Sequence, residues 1–181
     1  ILSPKTALFG TEAAIRRAVA ARPRFDHEVV PVGLREANLV VERLHRRLGR
    51  VQGHKFAIGL RRVLDQELDG VAIAARPVSR HLDDGITAEV RRIAVDPSVA
   101  NGCTKLLGAI ARSASAMGYR RLVTYTSEEE DGASLYAAGW DPIGRSPGGR
   151  CGSSKRPRDA GPEEGRKVVW VKVLRGDRRE R

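Results

Sequence analysis

The hydrophobic positions of this chain follow two different periods. In some segments apolar residues alternate with polar ones or form short runs, as in β-strands, and in others they recur at three- and four-residue steps, as on one face of a helix. The first pattern predicts strands over residues 27–32, 54–63, 71–76, 88–95, 122–126, 140–144 and 167–174. The second predicts helices over 34–48, 101–117 and 132–138, with Gly49, Gly118 and Gly139 at or just beyond their ends.

Strands and helices alternate along most of the chain, with one hairpin among them. The polar turn Asp65-Gln66-Glu67 joins the second and third predicted strands, which is a hairpin signal. The remaining elements follow in the order strand, helix, strand, helix and two further strands. This order predicts a mixed α/β sheet and, taken alone, leaves several α/β folds open.

A single domain accounts for most of the 181 residues, since domains commonly contain about 100–200 residues. We expect this domain to cover residues 27–174. Residues 1–26 are predicted to form a helical appendage, with Thr11 as the helix N-cap and Pro23 as its end. Residues 146–166 are rich in Gly, Pro, Ser and charged side chains, which predicts a mobile basic loop, and the charged tail 175–181 is predicted to be disordered.

The composition predicts a cytoplasmic protein without a bound metal or a membrane partner. No apolar run approaches the roughly 18 residues that a membrane-spanning helix requires, and the first residues lack the pattern of an export signal. The two cysteines form neither a disulfide framework nor a CxxC zinc site, and the four histidines lack the spacing of metal ligands.

The charge of the chain is strongly positive, with a net charge of +11 and an isoelectric point of about 10.6. Such a charge favours a polyanionic partner, such as a nucleic acid, a phosphorylated ligand or an anionic surface. The basic stretch 145–158 supports a nucleic acid, whereas the aromatic fraction of 4% leaves few side chains for base stacking. The alternative is an arginine-rich surface, encoded by a genome of high GC content, that serves no such partner.

The strongest chemical signal lies between residues 87 and 140. The strand that ends in Ile93-Ala94-Val95-Asp96-Pro97 is followed by a polar loop and by a long helix that opens near Asn101-Gly102-Cys103-Thr104. A helix N-terminus presents unpaired N–H groups and a partial positive charge, and both suit a pyrophosphate. Asn101 tolerates the left-handed backbone conformation, and Gly102 is permissive. The alternative is an ordinary helix start with Thr104 in its first turn.

A second phrase lies downstream, where Gly132-Ala133-Ser134-Leu135-Tyr136 leads to Gly139-Trp140. Together the two phrases resemble the GNAT superfamily of N-acetyltransferases. In that family, a strand ending in L-x-V-x-P leads through a phosphate loop to a helix, and a later helix carries A-x-x-L-Y-x-x-x-G-F/W. The resemblance implies an α/β fold with a mixed, mostly antiparallel central sheet flanked by helices. It also implies an enzyme that moves an acetyl or similar acyl group from acetyl-CoA to a primary amine.

The resemblance implies roles for individual residues. Tyr136 stands where the family's tyrosine commonly protonates the departing thiolate, and a core aromatic is its alternative role. Glu89 stands where many members place a carboxylate facing the cleft, which would accept the proton of the amine. Its alternative role is an ion pair with Arg91, because Glu89, Arg91 and Ile93 are expected to share one strand face. The implied cofactor-binding residues are Ile93, Ala94, Val95, Ser98, Val99, Ala100, Asn101, Gly102, Cys103 and Thr104, and the implied substrate-binding residues are His54, Arg76, Asp84 and Thr126.

The phosphate loop departs from the family pattern, because Ser98-Val99-Ala100-Asn101-Gly102-Cys103 replaces Gln/Arg-x-x-Gly-x-Gly/Ala. Residues 54–170 also resemble a small set of GNAT-related proteins found on phages and mobile elements. Two alternatives to the enzyme are left open. The positive charge favours a GNAT-like protein that binds nucleic acid or modifies a DNA base, and the irregular loop allows a catalytically degenerate GNAT fold. Asp83, Asp84 and the acidic run 128–131 are further candidates for binding a cationic amine, and the alternative role of the run is to cap the short helix that follows it. The acceptor and the oligomeric state, including a homodimer, are left open.

Overall fold

The computed structural model describes residues 26–45, 48–146 and 166–174. In these ranges the elements are β1 (His27–Pro31), α1 (Leu34–Leu44), β2 (Phe56–Arg62), β3 (Leu68–Ala75), a 3-10 turn (Arg80–Leu82), β4 (Thr87–Val95), α2 (Gly102–Ala116), β5 (Arg121–Ser127), α3 (Ala133–Ala137), β6 (Asp141–Ser146) and β7 (Lys167–Val173). The predicted appendage before Asp26, the predicted mobile loop between Ser146 and Arg166, and the predicted tail 175–181 lie outside the described residues.

The strands form one sheet in the order β1-β2-β3-β4-β5-β7-β6. Neighbouring strands are antiparallel except β4 and β5, which are parallel. The predicted hairpin is present between β2 and β3, where Arg62 N–H donates to the carbonyl of Glu67 at 2.8 Å and Gln66 takes a φ of 65°. The predicted class, a mixed and mostly antiparallel sheet flanked by helices, is confirmed.

Two apolar layers hold the helices against opposite faces of the sheet. On one face, called the α2 face below, Leu106 and Ile110 of α2 pack with Ala72, Ala74 and other buried residues of β2 to β5 and β7. On the other, called the α1 face, Val41 of α1 packs with buried residues of β2, β3 and β4. Aliphatic side chains make up most of both layers, and the layer on the α2 face also contains Trp140 and Trp170. No helix within the described ranges is both long and apolar enough to cross a membrane.

Helix α1 ends earlier than its hydrophobic period predicts. It was expected to reach residue 48, but it ends at Leu44, and His45 already has an extended backbone, with φ −87° and ψ 115°. The buried amide of Asn38 donates to the carbonyl of Val51 at 3.0 Å and accepts from the Val51 N–H at 2.8 Å. These two bonds hold the chain after the helix back against α1, which a continuing helix would not allow.

Candidate active site

A gap opens in the sheet between β4 and β5. The two strands pair at only three positions, Thr87 with Arg121, Ala88 with Leu122 and Glu89 with Val123. Just beyond the last pair, the hydroxyl of Thr124 donates to the carbonyl of Val90 at 2.9 Å, in a bond that is buried. The side chain thus satisfies a β4 carbonyl at the point where the strands diverge. Further along, the edge of β4 that faces β5 has no strand partner among the described residues.

Asp84 ties the two strands together at the closed end of this gap. Its carboxylate accepts the N–H groups of Ile86 at 3.0 Å and Thr87 at 2.8 Å, and the Thr87 hydroxyl at 3.1 Å. It also accepts from Arg121 at 2.7 Å, which joins the start of β4 to the start of β5. These bonds give Asp84 a structural role in joining the two strands. Its role in substrate binding stays a prediction.

A β-bulge at Arg91 changes which side chains share a face of β4. Val90 pairs with Ala74 and Arg92 with Ile73, so Arg91 is an extra residue in the ladder. Strict alternation predicted that Glu89, Arg91 and Ile93 share one face, and this is wrong for Ile93. After the bulge, Ile93 and Val95 pack in the core of the α2 face, and Ala94 lies in the core of the α1 face together with α1.

Glu89 is a buried carboxylate at the apex of the gap. Its side chain is 6% exposed, and its two oxygens are held by the Val78 N–H at 2.8 Å and by Nε of Arg91 at 3.2 Å. The ion pair that was the alternative role of Glu89 is therefore present. Burial nevertheless raises the pKa of Glu89, and the Val78 hydrogen bond and the charges of Arg91, Arg92 and Lys167 oppose that shift only in part. A carboxyl with a raised pKa is better matched to proton transfer near neutral pH.

The start of α2 presents backbone N–H groups beside the end of β4. Asn101 is the N-cap and has the left-handed conformation expected for it, with φ 56° and ψ 21°. The N–H of Gly102 donates to Val99 at 3.1 Å and that of Lys105 to Asn101 at 2.9 Å. Within the described chain, the two amides between them, those of Cys103 and Thr104, donate to no protein acceptor. Unbonded N–H groups at a helix start can donate hydrogen bonds to an anion.

The side chains at this helix start do not oppose a bound anion. The first turn of α2 contains no acidic residue. Burial raises the pKa of the Cys103 thiol, which keeps that side chain neutral. Gly102 has a packing role that the sequence did not indicate, because a Cβ there would lie 2.4 Å from Cγ1 of Val95. The missing side chain lets α2 begin directly against β4.

Two of the predicted cofactor-binding residues, Ser98 and Val99, have structural contacts with the protein itself. The N–H and the hydroxyl of Ser98 both donate to Oδ1 of Asp96, at 2.9 and 2.6 Å. The side chain of Val99 is 9% exposed and belongs to the core of the α2 face. Ala100 and Asn101 are exposed next to the helix start, and Cys103 and Thr104 are partly exposed.

Tyr136 lies on α3 over the β7 side of β5. Its ring meets Trp170 of β7 edge to face, with centroids 4.8 Å apart, and it lines an open pocket of about 400 Å³ formed by α3, β6, β7 and residues 130–131. The residue is 57% exposed, so Tyr136 does not have the alternative role of a core aromatic. The structure thus brings Glu89 and the α2 start to the gap, and it places Tyr136 beside Trp170, which the sequence analysis had not linked to it.

Local contacts fix the position of α3. Asp131 accepts the N–H of Ala133 at 2.9 Å, as expected for the acidic run before this helix. Gly132 has a φ of 67°, and a Cβ there would lie 2.4 Å from the Trp170 ring. At the other end, Nζ of Lys172 donates to the carbonyls of Ala138 and Gly139 at 2.8 and 2.7 Å.

The remaining predicted substrate-binding residues lie around this region. His54 is exposed just before β2, and Arg76 is exposed just after β3 and forms an ion pair with Asp83. Both lie near the end of the sheet at which Glu89 of β4 pairs with Ala75 of β3. Thr126 accepts the indole N–H of Trp170 at 2.9 Å. In the part of the chain that the structure describes, no three His, Cys, Asp or Glu side chains are placed to hold a metal ion.

No family model and no curated protein matches this sequence. Solved structures do match the fold. The ribosomal-protein-S18-alanine N-acetyltransferase from Escherichia coli matches with a TM-score of 0.57 at 15% identity, over 82% of this chain and 94% of its own. The ribosomal-protein-S5-alanine acetyltransferase from Vibrio fischeri matches with a TM-score of 0.60 at 8% identity, over 85% and 96%. A GNAT superfamily phosphinothricin acetyltransferase from Sinorhizobium meliloti, solved in complex with AcCoA, matches with 0.59 at 12% identity, over 83% and 89%.

The chain has the GNAT fold. In this GNAT-like chain the diverging pair is β4 and β5, and the helix after β4 begins with Gly102 packed on Val95. Each of these three matches covers more than four fifths of this chain.

Proposed function

We propose that the chain is an acyl-CoA-dependent N-acyltransferase that transfers an acetyl or similar acyl group to a primary amine. One observation carries the proposal: a sheet that opens between two parallel strands, beside a helix start whose amides at Cys103 and Thr104 are unbonded within the described residues. Acetyl-CoA has a pyrophosphate at one part of its length and an amide-bearing arm that ends in a thioester. The amides at the helix start can bind the pyrophosphate, and the unpaired edge of β4 can form hydrogen bonds with the amides of the arm.

The printed names of similar structures support this choice of cofactor. The Sinorhizobium meliloti enzyme was solved with AcCoA, and a Bacillus subtilis acetyltransferase, which matches with a TM-score of 0.53 at 14% identity, was solved with CoA. In this chain the amides of Cys103 and Thr104 hold the pyrophosphate, and the backbone of residues 93–95 pairs with the arm.

Catalysis rests on holding the amine against the thioester carbonyl, with two proton transfers. Glu89 accepts a proton from the attacking amine, for which its raised pKa is suited. Tyr136 donates a proton to the leaving thiolate from α3, on the same face as α2. The new bond joins the amine nitrogen to the acyl carbon, and the carbon–sulfur bond breaks.

Calorimetry and steady-state kinetics test the proposal together. Acetyl-CoA is titrated into the protein, and the release of coenzyme A is followed with a panel of primary amines. Glu89→Gln and Tyr136→Phe are expected to lower kcat by about 10²–10⁴-fold with acetyl-CoA affinity retained. Tyr119→Phe is the matched control, because Tyr119 packs against the core at the far end of α2. If acetyl-CoA does not bind, the proposed function is wrong, and if it turns over equally in all variants, the two assigned roles are wrong.

A nucleic-acid-binding or base-modifying protein is the second candidate, and the net charge of +11 favours it. Such binding would weaken steeply with added salt, because bound phosphates release counterions. An electrophoretic shift of duplex or single-stranded DNA at low salt tests it, and the absence of any shift there would remove it. A degenerate GNAT fold, the association with phages and mobile elements, the cytoplasmic location and a homodimer stay predictions.

A further inference from the structure

The indole of Trp170 is held in place from two sides. Its ring N–H donates to the hydroxyl of Thr126 on β5 at 2.9 Å. Its six-membered ring lies directly against the backbone at the start of α3, because a Cβ at Gly132 would lie 2.4 Å from Cζ2 of Trp170. The residue is only 2% exposed. A buried ring that is closely packed and has its one polar atom bonded has little freedom to change its orientation.

The ring of Tyr136 is much less constrained by the rest of the protein. The residue is exposed, and its phenol oxygen has no hydrogen-bond partner among the described residues. An exposed side chain of this kind is free to occupy several staggered rotamers. Its ring meets that of Trp170 at an angle of 83°, in the edge-to-face arrangement that aromatic pairs prefer. The fixed indole therefore favours one orientation of the mobile phenol.

Strand β5 links this aromatic pair to the other side of the gap. Thr124 and Thr126 share one face of β5, and Thr124 pairs with Trp170 in the sheet. The hydroxyl of Thr124 bonds to the carbonyl of Val90, the residue that follows Glu89 on β4. Two threonines of one strand thus join the backbone beside the proposed base to the indole beside the proposed acid.

We propose that Trp170 and Thr126 are positioning residues, which orient the phenol of Tyr136 for protonation of the leaving thiolate. This inference rests on the proposed acyl transfer and adds two residues to its site. Thr126 was predicted to bind the substrate, and here it acts through the indole instead. The phenol gives its proton to the sulfur of coenzyme A and, because it is exposed, takes one back from water.

The expected consequence of loosening the indole is slower turnover with unchanged binding. A reacting group that is displaced by about 1 Å can lose about 10² in rate. Neither Trp170 nor Thr126 belongs to the start of α2, where the cofactor is proposed to bind. Loss of the bond between them is therefore expected to lower kcat and to leave the affinity for acetyl-CoA unchanged.

Two substitutions of Thr126 test this with acetyl-CoA and the best primary amine of the panel. Thr126→Val has a similar shape but no acceptor for the indole N–H, and it is expected to lower kcat about tenfold or more. The KM for the amine and the calorimetric Kd of acetyl-CoA are expected to stay within about twofold. Thr126→Ser is the matched control, because it keeps the hydroxyl, and its kcat is expected to stay within about threefold of the unmodified protein.

A second background shows whether the effect passes through the phenol. In a protein that already carries Tyr136→Phe, Thr126→Val is expected to change kcat by less than about twofold, because the group that it positions is absent. Trp170→Phe keeps an aromatic ring but has no N–H, so it is expected to resemble Thr126→Val. Urea unfolding establishes that each variant is folded under the assay conditions.

Nuclear magnetic resonance of ring-labelled tyrosine tests the contact without turnover. The chain has three tyrosines, so Tyr136→Phe assigns the Tyr136 signal. This signal is expected to move in Thr126→Val and to stay in place in Thr126→Ser. A signal that is the same in both variants would show that the Thr126 bond does not orient the phenol.

The kinetic outcomes separate this inference from the one it rests on. An unchanged kcat in Thr126→Val, or an equal loss in the presence and absence of Tyr136→Phe, would mean that the indole does not act through the phenol, and the acyl transfer would stand. A loss in Thr126→Ser as large as that in Thr126→Val would assign the effect to the methyl group rather than to the hydroxyl. If acetyl-CoA does not bind or no amine is acetylated, the proposed function falls, and this inference with it.

Discussion

Substitution of Gly102 tests why a glycine stands at the start of α2, because two explanations predict different results. A glycine in a phosphate loop allows a ligand to approach the backbone, whereas in this structure it also allows Val95 to pack. A Cβ at residue 102 would lie 2.4 Å from Cγ1 of Val95 and 3.1 Å from Cγ1 of Val99. The first distance is far below van der Waals contact, and a β-branched side chain on a strand has little freedom to rotate away.

The expected magnitude follows from this one close contact. Gly102→Ala is expected to destabilise the fold by about 1–3 kcal/mol, the usual cost of inserting a methyl group into a packed site. Val95→Ala, which removes Cγ1, is expected to cost about 1 kcal/mol, because Val95 is only partly buried. In the double variant the closest contact, with Cγ1 of Val95, is gone, and the 3.1 Å contact with Val99 remains. The two effects are therefore expected to be non-additive by about 1–2 kcal/mol, with the double variant more stable than the sum predicts.

Urea unfolding of the four proteins, followed by circular dichroism, measures this coupling. With an m-value of about 2 kcal/mol/M, a 2 kcal/mol change lowers the midpoint by about 1 M, which is readily resolved. Acetyl-CoA titration of the same proteins adds a second result. If the amides of Cys103 and Thr104 bind the pyrophosphate, the double variant binds nearly as tightly as the unmodified protein. Additive stability effects would refute the packing explanation. A double variant that is stable but does not bind acetyl-CoA would show that binding requires a residue without a side chain at position 102.

Three further predictions concern the elements that hold the site. Gly132→Ala is expected to destabilise the fold by about 2–5 kcal/mol, because left-handed backbone strain adds to a collision with Trp170. Gly118→Ala, with φ 90° and open space around it, is expected to destabilise the fold by about 1–2 kcal/mol. Thermal unfolding compares the two variants. Asp84→Ala is expected to destabilise the fold by about 1–3 kcal/mol and Asp84→Asn by less than about 1 kcal/mol, since the amide still accepts backbone N–H groups; urea unfolding measures both. Burial raises the pKa of Glu89. The stability that this group contributes is therefore present below the ordinary glutamate pKa and is lost as the pH rises through the raised pKa. Glu89→Gln is expected to flatten the pH dependence of the unfolding free energy between these two pKa values.

Each of these predictions has an outcome that contradicts it. Equal losses in Gly132→Ala and Gly118→Ala would mean that Trp170 does not press on α3. An Asp84→Asn variant with normal stability and a raised KM for the acceptor would favour the substrate role over the structural one. Stability curves of Glu89→Gln and the unmodified protein that run parallel across acidic and neutral pH would show that Glu89 titrates as an ordinary surface carboxyl.

Local pattern was sufficient for the elements and their order. The β2–β3 turn at 65–67 follows from polar residues between two apolar runs, and Asn101 takes the left-handed conformation that its side chain tolerates. The strand before the loop 96–101 was placed within one residue of its observed bounds, at Thr87–Val95. The resemblance to GNAT proteins added the sheet architecture, which periodicity alone left open.

The features that were missed depend on contacts between distant parts of the chain. Helix α1 ends at Leu44 because Asn38 bonds to Val51, a partner thirteen positions away that an amphipathic period does not reveal. The bulge at Arg91 depends on the register of β3 against β4, so alternation gave the wrong face for Ile93. Similarly, the position of Tyr136 is set by Trp170, which lies on the last strand.

The most direct test of the central claim is a crystal of the protein soaked with acetyl-CoA. The predicted density places the pyrophosphate within hydrogen-bond distance of the Cys103 and Thr104 amides and lays the pantetheine arm along residues 93–95, with the thioester in the gap between β4 and β5. A ligand bound elsewhere on the chain, or a β4–β5 gap filled by protein side chains with no ligand bound at saturating acetyl-CoA, would contradict the claim.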